Sequence, residues 1–226
     1  MFFICLKNLL GKYQKNVSMS RRGIFISVEG SDGSGKSTQL ENIRKYFDEH
    51  DIPVIFTREP GGTAIGEKIR EIILDNENSE MCDLTEMFLY AASRAQHVTE
   101  KIIPALEEGL NVVTDRFVDS SIAYQGYGRG LLDCVKTVND FAVCGRLPDY
   151  TFFLDLDPVI GKSRITAGSE DRLEQEKNEF HLNVYNGYKD LIKDDDRFIV
   201  IDASGTIEEV KSLIYDKLDC IFGDML

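Results

Sequence analysis

Residues 30–37 have the types and spacing of a loop that binds nucleotide phosphates. Their sequence, Gly-Ser-Asp-Gly-Ser-Gly-Lys-Ser, matches G-x-x-x-x-G-K-[ST] in full. Glycines let successive backbone N–H groups turn onto phosphate oxygens, and the following helix start adds partial positive charge. Lys36 would reach the β- and γ-phosphates, and the Ser37 hydroxyl would ligate Mg²⁺. The loop therefore predicts nucleoside triphosphate binding through Gly30, Ser31, Asp32, Gly33, Ser34, Gly35, Lys36, Ser37 and Thr38.

The elements around this loop predict an α/β fold. An apolar strand precedes the loop at 24–29, and a helical pattern follows it at 38–50. Further short apolar runs predict strands at 53–57, 111–115, 151–155 and 198–202. Helical patterns separate them at 64–74, 84–108, near residue 120, at 132–144 and at 207–222. Five short apolar strands alternating with helices indicate a parallel sheet covered on both faces.

Charged residues follow two of the predicted strands. Arg58 ends one strand, and Asp115 and Arg116 end another. Ligands of such sheets collect at the carboxyl ends of the strands. Arg58 and Arg116 are therefore placed to hold an anionic acceptor, because a guanidinium meets two phosphate oxygens at once. Asp115 is placed to orient Mg²⁺ through water. Each arginine alone is also typical of a surface loop, and Asp115 of a helix N-cap.

The composition narrows the class of protein. The chain has 226 residues and a formal net charge of −13, which argues against general nucleic-acid binding. No apolar run approaches the length of a membrane span. The cysteines are scattered, odd in number and without C-x-x-C spacing, which favours reduced thiols in the cytoplasm over disulfides or a zinc site. They are Cys5, Cys82, Cys134, Cys144 and Cys220.

The first 22 residues differ from the rest because they hold five basic residues and no acid. Three interpretations remain open: an organelle transit peptide, an upstream start with Met19 as the working initiator, or a dispensable extension. The expected division is this extension at 1–22 and one domain with the phosphate loop at 23–226.

Four sequence blocks together resemble bacterial-type thymidylate kinases, which phosphorylate dTMP with ATP. They are Glu29-Gly-Ser-Asp-Gly-Ser-Gly-Lys-Ser-Thr38, Thr57-Arg-Glu-Pro-Gly-Gly-Thr63, Phe88-Leu-Tyr-Ala-Ala-Ser-Arg94 and Asp115-Arg-Phe117 continuing through Ala123-Tyr-Gln-Gly126 to Gly130. A weaker block is Leu154-Asp-Leu-Asp-Pro158 followed by Asp171-Arg-Leu-Glu174. The resemblance covers residues 24 to about 215. It implies a P-loop nucleoside monophosphate kinase fold with a short mobile lid, Mg²⁺ as cofactor and a homodimer.

The resemblance also implies roles for individual residues. Arg58 and Arg116 would hold the dTMP phosphate, with Glu59 beside it. Tyr90 would stack on thymine where the family usually has phenylalanine, while Arg94 would donate to a base carbonyl. Gln125 would pair with the base edge and Tyr124 would disfavour a 2′-hydroxyl. The full acceptor set is Arg58, Glu59, Tyr90, Arg94, Arg116, Ser121, Tyr124 and Gln125.

The expected lid, at about 160–174, is leaner in arginine than in some bacterial members of the family. It offers Lys162, Arg164 and Arg172, with Gly168 as a hinge. The phosphate loop contains no arginine, so a lid guanidinium is expected to meet charge on the transferred phosphoryl group. The expected catalytic residues are Lys36, Asp32, Arg164 and Arg172. Phe117 departs from the Tyr or His that commonly follows the Asp-Arg pair.

Two other functions remain possible on the sequence. A deoxynucleoside kinase would share the phosphate loop but would need a base at the sugar hydroxyl and no phosphate clamp. A non-catalytic nucleotide-binding protein would retain the loop and lose the acceptor residues. Arg58 and Arg116 argue against the first, and the presence of the acceptor set argues against the second.

Overall fold

The computed structural model describes residues 22–164 and 171–223, with a five-stranded parallel sheet at the centre. The strands are β1 (Phe25–Glu29), β2 (Val54–Arg58), β3 (Asn111–Asp115), β4 (Tyr150–Asp155) and β5 (Phe198–Asp202). Their order is β2-β3-β1-β4-β5. The phosphate loop follows the central strand, and the ends of β2 and β3 lie on one side of it. The predicted α/β fold class is confirmed.

Helices cover both faces of the sheet. They are α1 (Lys36–Glu49), α2 (Ala64–Leu74), α3 (Asp83–His97), α4 (Ile103–Glu107), α5 (Val118–Ser121), α6 (Leu132–Ala142), α7 (Pro158–Arg164), α8 (Asn178–Lys193) and α9 (Ile207–Phe222). A short 3₁₀ turn spans Asn76–Asn78. Two π-helical segments, Val98–Ile102 and Ile122–Gly128, follow α3 and α5 directly. Such segments are uncommon and occur often at functional sites.

Most predicted boundaries agree with the structure to within two residues. The predicted helix at 84–108 is α3, the first π-helical segment and α4 in continuous succession. Helix α8 is not among the predicted elements. Polar and apolar residues alternate irregularly along this helix, so its apolar stripe is difficult to recognise in the sequence. The stripe consists of Phe180, Val184 and Tyr188, which are buried at four-residue spacing.

Two apolar clusters fix the sheet between its helices. On one face, Ile43 and Phe47 of α1 pack with Ile214 and Phe222 of α9 against β1 and β4. On the other face, the π-helical segment after α3 packs against Phe25 and Phe117. Each fully buried side chain of this size contributes about 1.5–3 kcal/mol relative to exposure. The core therefore holds the carboxyl ends of β1 and β3 side by side.

Several expectations fall on residues outside the described ranges. These are the extension at 1–22 apart from Arg22, the hinge at Gly168 and the middle of the expected lid. Arg22 itself pairs with Asp149 at 2.6 Å. Within 22–164 and 171–223, no helix has the length and apolar character needed to cross a bilayer.

Candidate active site

The phosphate loop turns directly from the buried end of β1 into α1. Gly35 precedes the helix in a left-handed conformation with φ +93°. Lys36 is buried, and its ammonium donates to the carbonyl oxygens of Gly30 at 2.9 Å and Ser31 at 3.0 Å. The hydroxyl oxygens of Ser31 and Ser34 are buried and have no partner among the described residues. The loop is thus folded around its lysine with hydroxyl groups free for a ligand.

Gly33 is required because the lid helix α7 lies against the loop backbone. A Cβ at Gly33 would come within 2.0 Å of the carbonyl oxygen of Gly161, and φ is +76°. This contact places the carboxyl end of α7 over the loop. Arg164 therefore lines a cleft of about 1510 Å³ together with the phosphate loop and the start of α9, which we call the nucleotide cleft.

Arg116 is fixed in place before any ligand arrives. It has φ +66°, and its guanidinium donates to the carbonyl oxygen of Gly30 at 3.1 Å and to Ser120 Oγ at 3.1 Å. It also pairs with Asp32, whose other oxygen accepts from Tyr124 at 2.8 Å. Burial raises the pKa of Asp32, but Arg116 and Lys36 outweigh it and lower that pKa. Arg116 is therefore a preorganised cation between β1 and β3.

Glu29, the last residue of β1, fastens the Asp115-Arg116-Phe117 turn to the phosphate loop. Its carboxylate accepts from the Phe117 N–H at 2.7 Å, Ser120 Oγ at 2.6 Å and Tyr188 Oη at 2.9 Å. Burial, with a smaller contribution from the Asp119 charge, raises the pKa of Glu29 to about 7. The two turns that carry Lys36 and Arg116 are thus joined through one side chain.

A second cavity opens beside the loop, and six of the eight expected acceptor residues lie in its wall. We call it the acceptor cavity. Its wall includes Arg116 after β3, Tyr90 on α3 and Gln125 on the second π-helical segment. The six are Glu59, Tyr90, Arg116, Ser121, Tyr124 and Gln125, and Asp32 of the phosphate loop also lines this cavity.

Arg94 supports this cavity from the protein interior. It is 1% exposed, and it donates to Glu59 at 2.8 Å, to Ser121 at 2.9 Å and to the carbonyl oxygen of Phe117 at 3.0 Å. The second oxygen of Glu59 meets His97 Nδ1 at 2.9 Å. In this structure Arg94 and Glu59 therefore hold one another and Ser121 in place.

Arg58 lies at the edge of a neighbouring cleft. Its side chain is 52% exposed and pairs with Glu67 at 2.8 Å. That cleft, of about 1140 Å³, also contains Ser37 and Asp115. An exposed ion pair contributes only about 0–1 kcal/mol, so a phosphate could draw Arg58 away from Glu67 at little cost.

Ser37 and Asp115 fit the hard oxygen chemistry that Mg²⁺ prefers. Both line the nucleotide cleft next to Lys36. The Oδ1 atom of Asp115 is buried and has no hydrogen-bond partner in the described part of the chain. An unpaired buried carboxylate oxygen is costly, and a hydrated cation would satisfy it.

The structure separates the two lid arginines. Arg164 lines the nucleotide cleft, and its role toward the transferred phosphoryl group stays a prediction. Arg172 instead donates to the carbonyl oxygen of Ile73 at 2.9 Å and to Glu86 at 2.6 Å. The reason is electrostatic, because the buried Glu86 carboxylate attracts the guanidinium toward α3. In this structure Arg172 is therefore bound to Ile73 and Glu86, and its expected contact with the transferred phosphoryl group stays a prediction.

Two residues near the cavities are not among the expected set. Arg70, on α2, lines both the acceptor cavity and the nucleotide cleft. The sequence gives only a weak signal for Arg70: it lies on the helix that follows the Thr57–Thr63 block, and no spacing rule links it to that block. Glu86 is 0% exposed and lies four residues before Tyr90, on the same face of α3. The four-residue spacing from Tyr90 is the signal in the sequence that indicates Glu86.

Burial and charge act together on the phosphate-loop lysine. Burial, followed by the nearby positive charge of Arg116, lowers the pKa of Lys36 to about 8. The ammonium form thus predominates at neutral pH, and two anionic phosphates would stabilise it further.

Comparison with known proteins identifies the family of this chain. Residues 28–214 match the family model for thymidylate kinase. The chain is 50% identical over 197 residues to a thymidylate kinase of Finegoldia magna, covering 86% of this chain and 97% of that protein. It is 53% identical over 206 residues to one of Lactobacillus helveticus, covering 88% and 96%. A crystal structure of thymidylate kinase from Ehrlichia chaffeensis superposes with a TM-score of 0.72 at 31% identity, covering 88% of this chain and 99% of that one. The chain belongs to the thymidylate kinase family.

Proposed function

We propose that this chain carries out the reaction of its family, ATP-dependent phosphorylation of dTMP to dTDP, with the residues described above. The observation that carries the assignment is the junction of two cavities. Asp32, Arg70 and Arg116 line both the acceptor cavity and the nucleotide cleft. Two phosphates that meet between these cavities would lie against two guanidinium groups, which is the arrangement phosphoryl transfer between anions requires.

The donor side is assigned to the phosphate loop. Its backbone N–H groups and the start of α1 would hold the ATP phosphates, and Lys36 would leave the carbonyls of Gly30 and Ser31 to follow charge on the transferred group. Ser37 and Asp115 would hold Mg²⁺, which supplies positive charge to the phosphate oxygens when bound. Arg164, which lines the same cleft, would add a guanidinium from the lid.

The acceptor side is assigned to the second cavity. Arg116 and Arg70, joined by Arg58 after release from Glu67, would bind the dTMP phosphate. Tyr90 offers an aromatic face for the base. Tyr124 is held by Asp32 at 2.8 Å, so its ring is fixed where it would restrict the sugar. Gln125 would accept a hydrogen bond from the base.

Exposed apolar residues support the homodimer that the family resemblance implies. Phe88 on α3 is 56% exposed and Phe141 on α6 is 67% exposed. Ile65 and Ile72 on α2 add to the same group of packed helices. Sedimentation at micromolar concentration tests this proposal. A cytoplasmic location is proposed with it, since the four described cysteines are free thiols.

The specificity for a phosphorylated acceptor tests the proposed function. The experiment measures ADP release with ATP and, in turn, dTMP, dCMP and thymidine. We expect kcat/KM for dTMP to exceed that for thymidine by at least ~10²-fold, because thymidine has no phosphate for the arginines to bind. A preference for thymidine would favour a deoxynucleoside kinase. ADP release independent of any acceptor would favour a nucleotide-binding protein with residual hydrolysis.

A further inference from the structure

Glu86 is a buried carboxylate that the reaction itself does not use. It is 0% exposed on α3 and receives hydrogen bonds from three side chains. Gln125 Nε2 donates to Oε1 at 2.9 Å. Arg129 Nη2 donates to Oε2 at 3.1 Å, and Arg172 Nη2 donates to the same oxygen at 2.6 Å. The carboxylate therefore connects a residue of the acceptor cavity with two guanidinium groups behind it.

The two arginines keep this carboxylate ionised. Burial alone raises the pKa of Glu86, but hydrogen bonds from Arg129 and Gln125, together with Arg172, lower it overall. An ionised carboxylate only accepts hydrogen bonds. Gln125 must therefore present its amide nitrogen to Glu86. Its amide cannot rotate by half a turn without placing two oxygen atoms against one another.

This orientation decides which group Gln125 offers to a ligand. The side chain lines the acceptor cavity and is 1% exposed. Its Oε1 atom is buried and has no hydrogen-bond partner among residues 22–164 and 171–223. A buried, unpaired carbonyl oxygen costs about 1–3 kcal/mol, so a ligand that donates to it is favoured.

We infer that Glu86 is a positioning residue for base choice: by holding Gln125 through its nitrogen, it makes the cavity select bases with an N–H at ring position 3. Thymine and uracil carry that donor. Cytosine carries a lone pair there, which would face the carbonyl oxygen and leave it unpaired. This inference rests on the proposed function, because it assumes that the cavity binds a pyrimidine monophosphate.

The test compares dTMP with dCMP in Glu86→Gln. The substituted amide can donate as well as accept, so Gln125 is free to turn and offer its nitrogen. We expect the ratio of kcat/KM for dTMP over dCMP to fall at least tenfold, equivalent to about 1.4 kcal/mol, with KM for ATP within twofold of the unmodified enzyme. Glu86→Asp, which keeps a charge for the arginines but shortens the reach to Gln125, serves if Glu86→Gln does not fold.

Glu176→Gln is the matched control. Glu176 pairs with Arg129 at 2.6 Å, so this variant removes one carboxylate from the same arginine without touching Gln125. We expect its base ratio to stay within twofold of the unmodified enzyme. An equal loss in both variants would overturn the inference, because it would show a general effect of weakening Arg129.

A double variant separates positioning from structure. If Glu86 acts through Gln125, adding Glu86→Gln to Gln125→Ala should lower the base ratio no further than Gln125→Ala alone. An additive loss would overturn the inference. If Gln125→Ala changes the ratio and Glu86→Gln does not, the positioning role fails while the proposed function stands. If neither changes it, the assignment of base reading in the proposed function fails.

Discussion

Replacement of Arg116 by alanine removes the cation shared by the two cavities. The substitution keeps the Cβ atom, so the left-handed backbone at φ +66° is as favourable for alanine as for arginine. The measured effect therefore belongs to the guanidinium. Arg146→Ala is a suitable control, since Arg146 is 38% exposed and lies 4.0 Å from its partner Glu107.

The magnitude follows from the bonds that the guanidinium can make. A hydrogen bond to a charged group contributes about 1.5–3 kcal/mol, and a bidentate contact with the acceptor phosphate makes two of them. Loss of both corresponds to roughly 10²- to 10⁴-fold in kcat/KM for dTMP. KM for ATP should change far less, because Lys36 and the loop backbone would still bind the donor. Arg116→Lys should have a kcat/KM for dTMP between those of the unmodified enzyme and Arg116→Ala, since lysine keeps the charge and loses the planar pair of donors.

Loss of Arg116 also leaves Asp32 without its main counter-charge. The pKa of Asp32 should rise in the variant, because burial is then opposed mainly by Lys36. Asp32→Asn added to Arg116→Ala should restore thermal stability without restoring KM for dTMP. The assay is steady-state ADP release at fixed saturating ATP and at fixed saturating dTMP, with melting curves for each variant. Equal changes in both KM values, or less than a tenfold loss for dTMP, would refute the role of Arg116.

Three further predictions concern other charged groups of the site. Lys36→Ala should lower kcat about 10²- to 10³-fold with an unchanged melting temperature. In the unmodified enzyme, kcat/KM for ATP should decline above pH 8, where the free ammonium of Lys36 loses its proton, and Lys36→Arg should remove that decline. Arg164→Ala should lower kcat at least tenfold with little change in either KM, whereas Arg172→Ala should mainly raise KM for dTMP, because Arg172 contacts Glu86. The reverse pattern would contradict the roles given to these two arginines. Glu29 binds a proton more tightly in the folded state, because its pKa is raised to about 7. The free energy of unfolding should therefore fall as pH rises from about 5 to 7.5. In urea titrations, the fall over that range should be smaller in Glu29→Gln than in the unmodified enzyme by on the order of 1–3 kcal/mol.

The donor half of the site was predictable because it is local in sequence. Strand, loop and helix around residues 30–37 follow one another, so the motif specifies the position of Lys36 and Ser37 without tertiary information. Arg116 and Asp115 were predictable from topology, since the carboxyl ends of neighbouring parallel strands share one edge of the sheet. Resemblance to the family then indicated the residues of α3 and of the second π-helical segment.

The positions of the remaining residues depend on contacts distant in sequence. Arg172 turns to Glu86, 86 residues earlier, and Arg70 reaches a cavity formed largely by other elements. Arg94 carries the residue type of a ligand donor, yet its guanidinium is occupied by Glu59, Ser121 and Asn139. A residue type indicates what a side chain can do, whereas only packing decides which partner it meets.

Direct observation of the product tests the proposed reaction most sharply. Phosphorus NMR of the enzyme with ATP, dTMP and Mg²⁺ follows the donor, the acceptor and any inorganic phosphate in one sample. We expect the signals of dTDP and ADP to grow in equal amounts while inorganic phosphate stays at the level of an acceptor-free control. ADP accompanied by an equal amount of inorganic phosphate, with dTMP unchanged, would contradict phosphoryl transfer to dTMP by this site.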